Sequence, residues 1–431
     1  MTRRTLVLFA LVAGLLIATG LFQSWNTALT ILNMGLVSAV MALGLNIQWG
    51  FAGLFNVGVM GFVALGGLAA VLIAEPPVAA AWAAGGGRMM AALAVGALVI
   101  ALLVALRNRL AAGWRRGLIL IAVAIAGFLA YRALFDPARD AIEAVDPAST
   151  GYLGGLGLPI LLSWPVGGLL AAGAAWVIGK TALGLRSDYL AIATLGISEI
   201  LVSVLRNEDW LSRGVKNVVG LPRPVPYEID LQQDPGFMSQ AAGFGLDPVT
   251  ASTLYVKLLY TGVFAAVLIL LVVLTEAALK APWGRMMRAI RDNETAAAAM
   301  GKNVTRRHLQ VFVLGSAVCG IAGAMMTTLD SQLTPGTYQP LRFTFLIWVM
   351  VIVGGSGNTL GSVLGGMLVW LFWIEVEHWG QAILWLATLP LPDGALKAHL
   401  LDSAQHMRLL TMGLVLLLVM RFAPRGLLPE R

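Results

Sequence analysis

Apolar residues along this chain gather into long runs separated by short polar or basic connections. The runs cover residues 5–21, 29–47, 56–74, 90–106, 117–131, 160–179, 189–205, 254–279, 309–329, 343–353, 360–374 and 409–420. Several approach the roughly 20 residues an α-helix needs to cross the hydrocarbon core of a bilayer, and two or three fall short. The pattern predicts an all-α polytopic membrane protein of about 10–12 transmembrane helices, folded as one transmembrane domain over residues 1–431. The run 343–353 leads into Gly354-Gly355-Ser356-Gly357-Asn358-Thr359-Leu360-Gly361. The backbone of such a stretch would be unpaired in lipid, so it is tolerated at membrane depth only inside protein or beside a cavity. Broken or re-entrant structure is predicted there and around Gly50-Phe51-Ala52-Gly53.

Charge orients the runs. If the N-terminus is cytoplasmic, alternate connections carry Arg3 and Arg4; Arg107, Arg109, Arg115 and Arg116; Lys180 and Arg186; a basic loop over 280–308; and Arg421, Arg425 and Arg431. The intervening connections carry Glu75; Asp136 to Asp146; Glu208 to Asp234; and Glu375, Glu377, Asp393 and Asp402. This is the lysine/arginine asymmetry of cytoplasmic loops, and it predicts both termini in the cytoplasm. The first run also resembles a signal peptide, with Ala18-Thr19-Gly20 as a cleavage-like site, but the topology works with it kept as an uncleaved span. Residues 88–152 read as a peripheral hairpin with an external loop, and 206–253 and 375–408 as further external segments.

The connection 280–308 differs from ordinary loop filler. Pro282 suits a first helical turn. Asp292 is expected to cap a second short helix, Glu294 lies in its first turn, Ala296 to Ala299 favour helix, and Gly301 stops it. Arg285, Arg288, Arg291, Lys302, Arg306 and Arg307 outweigh the two acids and place the loop in the cytoplasm. A compact helical element held at the membrane face suits a contact with a soluble partner.

The composition of the 431 residues, 58% hydrophobic and 12% charged, is that of a membrane protein. The net charge of +7 follows from topology and gives no reason to expect nucleic acid. A lone cysteine, Cys319, excludes a disulfide framework and a multi-thiolate site. No metal site, nucleophile motif or nucleotide loop is found: the Gly173 to Thr181 stretch misses the phosphate-loop spacing by one position. No enzyme activity or bound cofactor is expected. Ionisable or amide groups within runs are costly and face protein or water. Asn46, Asn56, Thr194 and Glu199 are therefore the candidate polar groups of a substrate path, against a role in helix–helix hydrogen bonding.

Four blocks together resemble the LivM-type permeases of branched-chain amino acid ABC importers. They are Gly50-Phe51-Ala52-Gly53-Leu54-Phe55-Asn56-Val57-Gly58; Thr194-Leu195-Gly196-Ile197-Ser198-Glu199; Gly284 to Glu294 with Ala297 and Gly301; and Gly354 to Gly361. The resemblance covers most of 29–74 and 180–366 and is weak over 88–152 and after 375. Ala298 stands where that loop often carries an acid. The resemblance implies a bacterial inner-membrane permease that pairs with a second homologous permease subunit, two cytoplasmic ATP-binding subunits that hydrolyse ATP, and a periplasmic substrate-binding protein. It implies an ATPase-coupling role for Arg285, Arg288, Ala289, Arg291, Asp292, Glu294, Ala297 and Gly301. Urea or a short amide is an alternative cargo. A stand-alone secondary transporter coupled through Glu199 is the alternative mechanism.

Overall fold

The computed structural model describes residues 3–389 and 394–430. Asp393 and Arg431, counted above for topology, lie outside the described residues. Among the described residues nine helices are long and apolar enough to cross a membrane, and a tenth results if Ala395–Asp402 and Met407–Phe422, bent by 58°, are one broken span. Two shorter apolar helices, Val59–Ala74 and Pro340–Gly354, complete the set. At 16 and 15 residues they rise only about 22–24 Å, less than a hydrocarbon core of roughly 30 Å. Each short helix has one end at a glycine-containing break, where broken structure was expected.

The helix Trp25–Ala52 is the axis of the molecule. It packs against Arg3–Phe22, Pro248–Lys280, Val304–Asp330, Pro340–Gly354 and Thr359–Thr388, and 83% of its apolar window is buried. A second centre is Val304–Asp330, which also packs on Val59–Ala74 and Ser163–Ala182. There the backbones nearly touch. A Cβ added at Gly66 would lie 1.9 Å from the Gly320 carbonyl oxygen, one at Gly320 would lie 2.4 Å from that of Gly167, and one at Gly323 would lie 1.9 Å from that of Val63. Lipid tails are as apolar as side chains, so close van der Waals contact of this kind replaces the hydrophobic drive of a soluble core. Cys319 is free and buried on this helix, with its Sγ facing the Met41 carbonyl.

The periphery is different. Ala79–Arg109, which includes a π-helical turn at Trp82–Gly86, and Trp114–Glu143 pack on each other, with 11% of each apolar window buried. They are anchored near one end by Phe135, Ile142, Leu153 and Trp210, and by a hydrogen bond from Trp82 Nε1 to the Leu153 carbonyl (3.0 Å). The segment after Asn207 is folded rather than open loop. It contains the helices Asp209–Ser212, Glu228–Gln233 and Pro235–Gly243, and its strand Val218–Val219 pairs antiparallel with Gln332–Leu333, Val218 opposite Leu333.

One boundary differs from the sequence reading. Residues 375–388 continue the helix Thr359–Thr388 instead of opening an external loop. The acid that ended the apolar run, Glu375, is 2% exposed and accepts hydrogen bonds from Thr19 Oγ1 (3.1 Å) and Gln23 Nε2 (2.7 Å). These donors belong to or directly follow the first helix, so a buried carboxylate ties that helix into the bundle.

Because the Val63 carbonyl leaves no room at Gly323, Gly323→Ala is expected to destabilise the fold by about 1–3 kcal/mol. Gly173→Ala, with nothing within 4 Å, is expected to be neutral or slightly stabilising. Thermal unfolding of the two variants in one detergent checks this; equal melting temperatures would refute the packing account.

Candidate functional site

The chain enters the basic loop through an extended Ala281, and Pro282 opens the helix Pro282–Asp292 at a position that needs no N–H. Gly284, Met287 and Ile290 are buried against the bundle, while Arg285, Ala289 and Asp292 are exposed. Gly284 is required: a Cβ there would lie 2.3 Å from the Leu279 carbonyl oxygen. The cap of the following helix, Glu294–Ala299, is Asn293 and not Asp292. Asn293 Oδ1 accepts from the Ala296 amide at 2.9 Å, while Asp292 is still the last helical residue and faces Arg291. Asn and Asp cap about equally well, so composition alone does not choose between neighbours. Glu294 is exposed in the first turn and Ala297 is buried. Gly301 ends the helix at φ +76°, with its amide bonded to the Ala298 carbonyl (2.9 Å) and that of Lys302 to Ala297 (3.2 Å).

The two breaks lie directly beside this loop, and Arg291 joins all three. Its Nη1 donates to the Gly50 carbonyl and pairs with Glu430 Oε2 at 2.8 Å, and its Nε pairs with Asp292 at 3.2 Å. Burial opposes the charge of Arg291, but hydrogen bonds and attraction from Glu430 and Asp292 outweigh it, so its pKa is raised. Glu430 also covers the second break: a Cβ at Gly357 (φ +76°) would lie 2.7 Å from its Oε2. The tail is strapped on by its backbone, with Leu427 and Leu428 amides donating to the Val353 and Gly354 carbonyls (2.8 and 2.9 Å) and Asn358 Nδ2 donating to Pro429 (3.2 Å). A cavity of about 570 Å³ opens between loop and break, lined by Glu276, Lys280, Arg288, Asn358 and Glu430 among others.

Inside the bundle, buried amides complete the breaks. Asn46 spans the second: its Oδ1 accepts from the Gly357 amide (2.9 Å) and its Nδ2 donates to the Asn358 carbonyl (3.2 Å). Asn56 organises the first, donating to Gln48 Oε1 (2.7 Å), accepting from the Gly58 amide (2.8 Å), and receiving Trp348 Nε1 on its carbonyl (3.1 Å). Gln48 in turn donates to the Phe312 carbonyl and Ser316 Oγ, both at 2.9 Å. Thr194 Oγ1 accepts from the Val57 amide (3.1 Å). Three of the four path candidates, Asn46, Asn56 and Thr194, thus meet in one buried region with their polar atoms turned to backbone or to Gln48. Glu199, five residues after Thr194, is exposed on another face of the helix Ser187–Asn207.

The sequence reading singled out Arg291 for its charge and for the loop it belongs to. Its inward role, and the parts played by Gln48, Trp348, Asn358 and Glu430, depend on partners up to 312 positions apart. The only local signal was the cluster of amides beside glycines.

Removing the side chain in Arg291→Ala leaves the Gly50 carbonyl and Glu430 without their cation and is expected to cost about 1.5–3 kcal/mol locally. Hydrogen exchange is the measurement: the Leu427 and Leu428 amides should exchange faster in the variant. Unchanged protection there would show that the tail is held without Arg291.

The family model described as "Branched-chain amino acid transport system / permease component" matches residues 110–420. The high-affinity branched-chain amino acid transport system permease protein LivM of Escherichia coli (strain K12) is 27% identical over 294 residues, covering 67% of this chain and 61% of that protein. The probable branched-chain amino acid transport permease protein LivM of Methanocaldococcus jannaschii is 26% identical over 156 residues, 36% of this chain and 42% of that protein. The xylose transport system permease protein XylH of Escherichia coli (strain K12) is 23% identical over 265 residues, 57% of this chain and 54% of that protein. The chain therefore spans about three-fifths of the length of the first curated relatives it matches. No solved structure matches the chain.

Proposed function

Because the chain belongs to the family of branched-chain amino acid transport permease components and is a multi-pass inner-membrane protein, not an enzyme, we propose that it forms the membrane passage of an ATP-driven amino acid importer. In this reading it pairs with a second homologous permease, two cytoplasmic ATP-binding subunits supply the energy, and a periplasmic protein delivers the substrate. The observation that carries the reading is the Arg291 junction. The loop presents Arg285, Ala289, Glu294 and Met300, the last 79% exposed, on its outer side, while Arg291 fastens its inner side to both helix breaks. A push on the outer side reaches the Gly50 carbonyl, hence the end of the central helix, and the Glu430 strap over Gly357. Two breaks beside a rigid lever provide the hinges for rocking between two states.

Branched-chain amino acids are favoured over sugars because the LivM relatives and the matching family share that description, although a xylose permease is also similar. Urea and short amides lack an apolar body and gain nothing from apolar walls.

Ala297 is buried and its amide bonds to the Asn293 carbonyl (3.1 Å), so Ala297→Pro should break the coupling helix. Gly301→Val forces a β-branched residue to positive φ and should act the same way. Glu294 is the first helical residue, where proline is tolerated, so Glu294→Pro should leave the helix intact and remove only the carboxylate from the contact face. The expected result for the first two is normal membrane insertion with uptake lost and ATPase activity no longer stimulated by substrate. Coupled transport in both would reject the loop as the ATPase contact.

Partner placement is tested by photo-crosslinking. We place the second permease against the face carrying Glu199, since a carboxylate there needs protein or water around it. We place the binding protein on the folded platform made by 206–253 and its strand partner at 332–333. Crosslinkers at Gly196 and at exposed Lys216 should capture the permease and the binding protein respectively. Trp210 is buried and unsuited to this use. Lipid-only products at Gly196, or none from Lys216 with substrate-loaded binding protein, would remove the respective placement.

A further inference from the structure

A cavity of about 530 Å³ lies among the helices Trp25–Ala52, Pro248–Lys280, Val304–Asp330, Pro340–Gly354 and Thr359–Thr388. It is remote from the basic loop and plays no part in the coupling described above. Its volume is within the range of small-molecule sites. Along the central helix its lining runs from Asn26 to Met41, a rise of about 22 Å.

The lining is divided by polarity. Toward the helix ends stand Asn26, Thr30, Lys257 and Asp330; further along lie Met34, Met41, Met60, Met326 and Met350, with Ser38 the one hydroxyl among them. Lys257 reaches across from its own helix, and its Nζ donates to the Asn26 carbonyl (3.3 Å), to Asn26 Oδ1 and to Thr30 Oγ1. These three oxygens are neutral, so the ammonium keeps its charge, and a carboxylate reaching it takes one of their three N–H bonds. Among the described residues Lys257 makes no salt bridge. Asp330 is the last residue of a 27-residue helix and is open to the cavity. Its carboxylate has no hydrogen-bond or salt-bridge partner among the described residues. It also stands at the negative end of a helix macrodipole, where a cation is favoured and a carboxylate is not. One wall of the cavity therefore offers a held positive charge and another an unmatched negative one.

We propose that this cavity is a binding station for an α-amino acid with an aliphatic side chain. Its carboxylate meets Lys257, its ammonium meets Asp330, and its side chain enters the methionine floor. Both charges of a zwitterion are needed to satisfy both walls. A sugar would leave both charges unmatched and strand its hydroxyls on thioethers, while urea has no body to fill the floor. Methionine is unbranched and adaptable, so the floor accepts leucine, isoleucine or valine without choosing sharply among them. That suits a permease whose substrate has been selected upstream. The proposal rests on the amino acid importer reading and adds a place within this chain's own helices where the substrate pauses.

The test uses the full-length chain in lipid nanodiscs. Cys319 is buried, so Phe343→Cys places a reporter thiol in the lining for maleimide. L-leucine is expected to slow labelling, whereas isopentylamine and isocaproate, each lacking one charged end, and D-xylose are not. Lys257→Met and Asp330→Asn, each added to the reporter, should abolish protection without altering the unprotected rate, and Lys257→Arg should preserve it. In the assembled transporter each loss should raise the KM for leucine uptake about tenfold or more, as expected for a charge-assisted contact. Absence of protection by L-leucine at saturation, equal protection by a one-ended analogue or D-xylose, or protection that survives both charge losses would overturn the station. Where a charge-loss variant fails to fold, the analogue panel on the reporter alone decides. If uptake depends on this chain while both variants keep the parent KM, the station fails and the importer stands. If the chain neither joins ATP-binding subunits nor supports uptake, the importer reading itself fails.

Discussion

In hydrocarbon a helix can end only where something else takes over its backbone hydrogen bonds. This bundle ends helices in two places close to its centre, and its polar architecture follows from that. Asn46 substitutes for missing backbone partners at Gly357 and Asn358, and Asn56 does so at Gly58. Gln48 then ties Asn56 to the Phe312 carbonyl, and Trp348 holds the Asn56 carbonyl while its ring lies 4.6 Å from those of Trp49 and Phe55. The burial of these amides is tolerable because their polar atoms are partnered. Arg291 extends the same solution toward the basic loop, where its guanidinium donates to the Gly50 carbonyl.

Much of this was legible in the sequence, for definite reasons. Length and apolarity mark a span regardless of what it packs against, so the all-α membrane fold could be read directly. Glycine clusters mark breaks, because few other residues allow such backbone; Gly53, Gly355 and Gly357 all have positive φ. The two-helix form of the basic loop followed from local capping chemistry. What failed was choice among near-equals and everything non-local. Asn293 rather than Asp292 takes the cap, because the turn geometry decides between two competent neighbours. Glu375 ended a predicted span because a charge in an apolar run looks like a boundary, yet Thr19 and Gln23 make it an interior group. Neither Lys257 nor Asp330 was read as part of a substrate path, since one is a lone charge in a long apolar helix and the other ends a helix, where charge is ordinary. Only the packing brings both to one cavity.

The distribution of burial divides the molecule into parts of different mechanical character. The central helix and Val304–Asp330 are enclosed on most sides and pack through glycine, which leaves little slack. The hairpin Ala79–Arg109 and Trp114–Glu143 is joined at one end and otherwise faces outward. The methionine-floored cavity lies between the rigid axis and the shorter Pro340–Gly354, so one wall belongs to an element that ends at a break.

The strap made by Leu427, Leu428 and Pro429 has a consequence for the order in which the molecule is completed. Until those residues emerge from the ribosome, the carbonyls of Val353 and Gly354 and the amide of Asn358 lack the partners they have in the folded chain. Asn358 waits for a residue 71 positions downstream. The second break therefore has its full set of hydrogen-bond partners only when the tail is in place.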